Sequence, residues 1–228
     1  MTTTETGGLR ERKKRAMRQQ LSDTAARMFL ERGFDAVRVA DVGEACGVSE
    51  KTVFNYFPSK EALLLDRLEA TADAMRARLA DPVIPPVEAM LAVLDDELDG
   101  LVENLAADAA PDRALAQYRR FGDLIRDTPS LRAYRSDVAD RFADLAAEVL
   151  ATRTGRRPED PEPQIVAATL VGLWRVQFRA LRTHLRPGVP LPDAIDAVTR
   201  EVRRAARLAE TGLAGYGRPH PGAPPRPS

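Results

Sequence analysis

The sequence predicts an all-α protein in which a small N-terminal bundle of three helices precedes a larger helical domain. Three observations predict it. Apolar side chains recur at steps of three and four along most of the chain. Breaks containing glycine or proline separate these stripes, and no run alternates at period two over the length of a strand. At 228 residues the chain suits one large domain or two small ones. The expected organisation is a disordered N-terminus over 1–9, a helix-turn-helix unit over 10–60, a second helical domain over 61–212 and a disordered tail over 213–228.

The first helix is expected over about 11–32, where Met17, Leu21, Ala25, Met28 and Phe29 keep helical spacing and Gly33 is the stop signal. Val39, Val42 and Ala45/Cys46 mark a short second helix ended by Gly47. Ser49 then offers an N-cap to a short third helix that must end before Pro58. Ser59 and Glu61 open a fourth, whose stripe of Leu64, Leu65, Leu68, Ala72, Met75 and Leu79 predicts one continuous helix to about 80. After the breaker "ADPVIPP", the spacing of Val87, Met90, Leu91, Leu94, Leu98, Leu101 and Leu105 predicts the fifth, with its acids on the opposite face. Further helices are expected over 112–126, 130–153, 163–184 and 191–212, separated by "DTPSL", "TGRRPEDPEPQ" and "RPGVPLP".

Composition excludes several classes. No apolar run approaches the roughly 18 residues of a membrane span, and the start lacks the apolar stretch of a secretion signal. The only cysteine, Cys46, has no intramolecular partner for a disulfide. A cytoplasmic protein, away from the membrane, is therefore expected. The net charge is zero but uneven: residues 1–60 hold 11 Lys/Arg against 8 Asp/Glu, leaving 23 against 26 in the rest. A neutral chain with a basic tip, densest in "RERKKRAMR", predicts that only this end meets a polyanion. His184 and His220 lack partners for metal or catalysis, and the chain has no paired-histidine metal motif, phosphate-cradling glycine loop or nucleophile elbow. No catalytic residue, metal or cofactor is expected.

The stretch "GVSEKTVFNYFPSKEAL" carries the functional signal. A short helix, a glycine-containing turn and a second short helix match the helix-turn-helix pattern, whose second helix enters the major groove of double-stranded DNA. Val48, Val53 and Phe57 suit the inner side, leaving Glu50, Lys51, Thr52, Phe54, Asn55 and Tyr56 nearer the duplex. Lys51, Thr52 and Asn55 are the candidate base readers, and Phe54 offers an apolar contact to a thymine methyl. The Tyr56 hydroxyl and Lys60 suit phosphate, as do Arg12, Lys13 and Lys14 on the basic first turn; Ser49 at the cap and Arg38 complete the set.

Through "AARMFLERGFDAVRVADVGEACGVSEKTVFNYFPSKEALL" the chain resembles the tetracycline-repressor (TetR) family of bacterial transcriptional regulators, from about residue 12 to 66. The resemblance implies nine or ten helices, a homodimer on a palindromic operator, and a small-molecule pocket whose occupation releases DNA. Three positions depart from the family pattern. Arg38 stands where a capping threonine is common and is a poor cap, and Ala40 removes one possible base contact. Gly43 replaces a common alanine, at up to about 1 kcal/mol of helix propensity unless close packing requires it.

For the implied pocket, the apolar stripes nominate Leu68, Met75, Leu94, Leu98, Tyr118, Phe121, Ile125, Phe142, Trp174 and Phe178, which suit a largely hydrophobic effector. Arg119, Arg175 and Arg179 are either handles for an acidic group or surface residues. For the implied dimer seam between the last two helices and their copies, the nominees are Ala167, Leu170, Val171, Ile195, Val198 and Val202. Small residues in "IVAATLVGLW" permit close approach there, while Trp174 and Phe178 suit either pocket or seam. Two rival functions are a DNA-binding protein without a ligand and an all-α enzyme or lipid carrier.

Overall fold

The computed structural model describes residues 4–65 and 68–212, with side chains from Arg12 onward; the tail expected to be disordered, 213–228, lies outside the described residues. Among the described residues ten helices occur: α1 (Thr4–Arg32), α2 (Val39–Ala45), α3 (Glu50–Tyr56), α4 (Lys60–Leu64), α5 (Leu68–Leu79), α6 (Pro86–Ala106), α7 (Pro111–Asp127), α8 (Pro129–Thr154), α9 (Pro161–His184) and α10 (Leu191–Thr211). The described residues contain no strand, and none of their helices is long and apolar enough to cross a membrane.

Helix α1 starts at Thr4, earlier than the start expected near residue 11. The Arg-, Lys-, Glu- and Ala-rich run that follows is made of good helix formers, and a helix once nucleated extends at little cost. The expected single helix to residue 80 is broken into α4 and α5, with Leu65 at φ −108°, ψ 30° closing the first piece. Packing supplies the reason. Ala62, Leu63, Leu64 and Leu65 are all buried in one apolar cluster, whereas Met75 and Leu79 belong to another. A straight helix presents one stripe, so passing from one core to the other at this point favours a break.

The first cluster joins Leu21, Ala25 and Phe29 of α1 to Val42, Val53, Phe57 and Leu63, and it extends to Ile125 of α7 and Leu131 of α8. The second is built by α5, α6, α8, α9 and α10 around Met75, Met90, Leu94, Leu170, Trp174 and Val198. The first cluster therefore runs through Leu65. Five of the later helices carry proline in their first turn, where the missing N–H has no intrahelical partner anyway. Gly155, at φ 68°, ends α8 in the left-handed conformation.

Candidate nucleic-acid interface and junction cavity

The unit α2–turn–α3 is fixed by local chemistry. The Ser49 hydroxyl accepts the Thr52 N–H at 3.1 Å and lies 2.9 Å from the Thr52 hydroxyl, capping α3. Gly43 is required by close approach: a Cβ there would stand 2.8 Å from the Val48 carbonyl oxygen and 3.3 Å from Val53 Cγ2. The helix-propensity cost expected for this glycine thus has a packing reason. Val53 and Phe57 are fully buried, anchoring a helix of only seven residues.

That anchoring sets the outer face. Lys51 and Asn55 are exposed, Phe54 is 46% exposed despite its ring, and Thr52 and Tyr56 are half-buried. Arg12, Lys13 and Lys14 are exposed on α1. Lys60 is half-buried, with Nζ 4.3 Å from the Phe34 ring centre and 5.7 Å from that of Phe29, a cation–π seat that fixes it at the start of α4.

Arg38 caps α2 through a route its side chain alone could not provide, since guanidinium has no acceptor. Its backbone N–H donates to Asp41 Oδ2 at 2.9 Å, and its Nη2 and Nε donate to Oδ1 at 2.7 and 3.1 Å. The hydrogen bond from the Arg38 side chain holds the Asp41 carboxyl below its ordinary range.

Arg18 was counted with the basic tip but turns inward. Its Nη1 donates to the Tyr56 carbonyl at 3.0 Å, its Nη2 pairs with Glu69 at 2.6 Å, and its Cζ sits 4.8 Å over the Phe57 ring. One side chain thereby ties α1 to the end of α3 and to α5. The signal was present in the spacing, because Arg18 stands one step before Leu21 and Ala25 on the inward stripe. Ser22 adds a second tie, donating to the Leu63 carbonyl at 3.0 Å.

A cavity of about 260 Å³ lies beside Arg18, where α1, α4, α5 and α8 meet; Leu68, Ala72, Val138, Phe142 and Leu145 form its apolar wall, and Glu69, Tyr134 and Arg141 its polar one. Of the ten pocket nominees, Leu68 and Phe142 line it. Met75, Leu94, Leu98 and Trp174 are buried in the second cluster, and Tyr118 packs half-buried against it. Phe121, Ile125 and Phe178 pack on the first cluster instead, because α7 and the end of α9 lean on the N-terminal unit. Trp174 meets Phe142 edge-on at 5.3 Å, and Phe178 lies 6.4 Å from Trp174 beneath the Arg135 guanidinium. Both rings therefore pack within the protomer. Arg119 donates to the Leu185 and Arg186 carbonyls at the end of α9, Arg175 faces Asp140 at 3.7 Å, and Arg179 is exposed.

The seam nominees pack mainly within one chain. Ala167, Leu170, Val171, Val198 and Val202 are buried inside the protomer, and Ile195 is half-buried against the same core. They join α9 to α10 and α8 within one chain. The outward face of α9 carries Ile165, 66% exposed, together with Ala168, Thr169, Gly172 and Val176.

Sequence reasoning also missed a polar group in the second core. Glu97 of α6 was expected among solvated acids, yet its carboxyl accepts from the Thr71 hydroxyl and, at 3.2 Å, from Gln177 Nε2. Burial pushes its pKa above the ordinary 4.5, against the hydrogen bonds of Thr71, Gln177 and Trp174. Gln177 Nε2 also donates to the Leu94 carbonyl at 3.1 Å, and its buried Oε1 has no partner. Among the described residues no group of His, Cys, Asp or Glu is arranged to hold a metal ion.

Comparison with known proteins covers both halves. The family model described as "Bacterial regulatory proteins, tetR family" matches residues 21–66, and that described as "MftR C-terminal domain" matches residues 90–207. The HTH-type transcriptional regulator TcmR of Streptomyces glaucescens is 30% identical over 179 residues, 75% of this chain and 76% of TcmR. MftR of Mycobacterium tuberculosis, a transcriptional regulator named for mycofactocin biosynthesis, is 29% identical over 178 residues, 78% of this chain and 84% of MftR. The HTH-type transcriptional repressor DhaR of Mycobacterium sp. strain GP1 is 28% identical over 169 residues, covering 70% and 79%.

Proposed function

The chain belongs to the TetR family of bacterial regulatory proteins and is a DNA-binding transcriptional regulator, not an enzyme; we propose that it is a homodimeric repressor released from a palindromic operator by a small, largely apolar effector. The observation that carries the proposal is the outer face of α3, where Lys51, Phe54 and Asn55 stand exposed on a helix locked from behind by Val53 and Phe57. A helix held this way enters the major groove without rearranging, and each member of a dimer delivers one.

Lys51, Thr52 and Asn55 read bases, whereas Tyr56, Lys60, Arg38 and the run Arg12–Lys14 bind phosphate. Two protomers associate through the outward face of α9, where Ile165 and Val176 supply apolar contact and Ala168 and Gly172 admit close approach. This placement is supported by the 66% exposure of Ile165 on that face. The effector acts by preferring an arrangement whose two α3 helices no longer match successive half-sites, and release is limited by that difference in affinity. The protein acts on DNA in the cytoplasm.

The test is selection of duplexes from a random pool by the purified chain, followed by footprinting of the winner. Enrichment of an inverted repeat with half-sites about one helical turn apart supports the reading. Recovery of no common sequence overturns it.

A further inference from the structure

The cavity beside Arg18 has a chemistry of its own. Among the described residues its wall holds two guanidinium groups, Arg18 and Arg141, and one carboxylate, Glu69. Glu69 is already paired with Arg18. Arg141 forms no ion pair among the described residues and rests 5.5 Å from the Tyr134 ring centre. A bound cation would face that unneutralised charge, whereas an anion would complete it. The remaining wall is apolar, and the volume of about 260 Å³ holds about nine water-sized groups at ~30 Å³ each.

We propose that this cavity is the effector site and takes a compact amphipathic carboxylate. The anionic end is held between Arg18 and Arg141, and the apolar body lies along Leu68, Ala72, Val138 and Phe142. Binding acts by drawing Arg18 away from Glu69. The inference rests on the reading of the chain as a ligand-released regulator and names the ligand class and the transmitting residue.

The route to DNA is short. Pro58, Ala62 and Leu65 of the α3–α4 connection line the same cavity, so an occupant touches the segment that carries the reading helix. Arg18 Nη1 satisfies the Tyr56 carbonyl, one of the carbonyls at the end of α3 that lack an intrahelical partner. Turning the guanidinium toward a ligand carboxylate removes both that donor and the Glu69 tie. Helix α3, still anchored by Val53 and Phe57, then loses its polar tie to α1 and, through Arg18, to α5. A larger groove of about 510 Å³ lies between α6 and α10, but Arg203 there is already paired with Asp95 at 2.6 Å, and no residue of the N-terminal cluster lines it.

Octanoate, with about ten non-hydrogen atoms, fits the volume and serves as the probe, beside octylamine and octanol of equal length. The expected result on the full-length protein is that octanoate binds at least about tenfold more tightly than either analogue, by calorimetry, and loosens the selected duplex. Arg141→Met is expected to weaken octanoate about tenfold while leaving octanol unaffected, and Glu69→Gln, which removes a negative charge from the wall, to strengthen octanoate. Octylamine or octanol binding as well as octanoate, or octanoate binding indifferent to both substitutions, overturns the assignment. Failure of the duplex selection with octanoate binding intact would sink the regulator reading and spare the cavity. A bound duplex that octanoate never reaches would do the reverse.

Discussion

The same helix treats two of its basic residues in opposite ways. Lys14 of α1 stands exposed, while Arg18, one turn later, is folded against Phe57 and holds the Tyr56 carbonyl and Glu69. The contrast repeats across the molecule. In the N-terminal unit the exposed side chains of α3 point outward from a frame set by neighbours in sequence. In the C-terminal half the polar groups of interest, Glu97 and Gln177, point inward and find partners 80 residues apart. A reading surface must be exposed and rigid, so local caps and anchors suffice. A buried polar pair needs partners from distant helices, so only the packed fold assembles it.

The sharpest way to break this comparison is at two glycines. Gly43→Ala puts a methyl group 2.8 Å from a backbone oxygen that cannot turn aside, and is expected to cost about 1–3 kcal/mol and to abolish duplex binding. Gly172→Ala meets nothing inside the protomer and should stabilise the isolated chain by up to about 1 kcal/mol. Denaturant melts of both variants test the pair; equal losses would mean that the two helices are packed alike.

The next largest effect is expected at the outer face of α9. Ile165→Asp should weaken self-association about a hundredfold with little change in the fold, since this side chain is 66% exposed in the protomer. Sedimentation across a concentration series reads the loss. An unchanged dimer would move the seam elsewhere.

Much of the N-terminal unit was legible from the sequence because its determinants are close together: Ser49 caps the helix it begins, and Gly43, Val53 and Phe57 lie within one short unit. The beginnings of α6 to α10 were legible for the same reason, as proline and glycine act locally. The break at Leu65 was not, because it follows from which of two cores each leucine enters. The seam nominees illustrate a related point. Ala167, Leu170 and Val202 have the composition of an interface, but composition does not say whether the partner helix belongs to the same chain. Arg18 and Glu97 were misjudged through charge: a guanidinium or carboxylate is normally solvated, so the inward spacing of Arg18 was passed over, while Glu97 is revealed only by its contacts with Thr71 and Gln177.

Smaller effects separate reading from holding. Asn55→Ala is expected to change which operator bases are tolerated, at about 1–3 kcal/mol on the affected base pair. Lys60→Ala should weaken all duplexes alike and lower the salt slope by about one unit. Titrations against a set of single-base operator variants at several salt concentrations distinguish the two.

The smallest expected effect concerns the buried carboxyl. The pKa of Glu97 is raised on folding, so its contribution is most favourable below the ordinary 4.5 and declines as pH rises toward the folded value, where the unfolded chain has already ionised. Glu97→Gln should therefore gain stability relative to the parent between about pH 4 and neutrality. Thermal melts at both ends of that range check the sign; a gap that shrinks as pH rises would mean that the carboxylate is favourably held.

The most direct test of a dimer presenting two rigid α3 helices is the mass of its complex with the selected duplex, measured by sedimentation equilibrium at physiological salt. Two protomers per inverted repeat, lost together when either half-site is scrambled, is the predicted result. A single protomer on the duplex, or equal binding to the scrambled one, contradicts it.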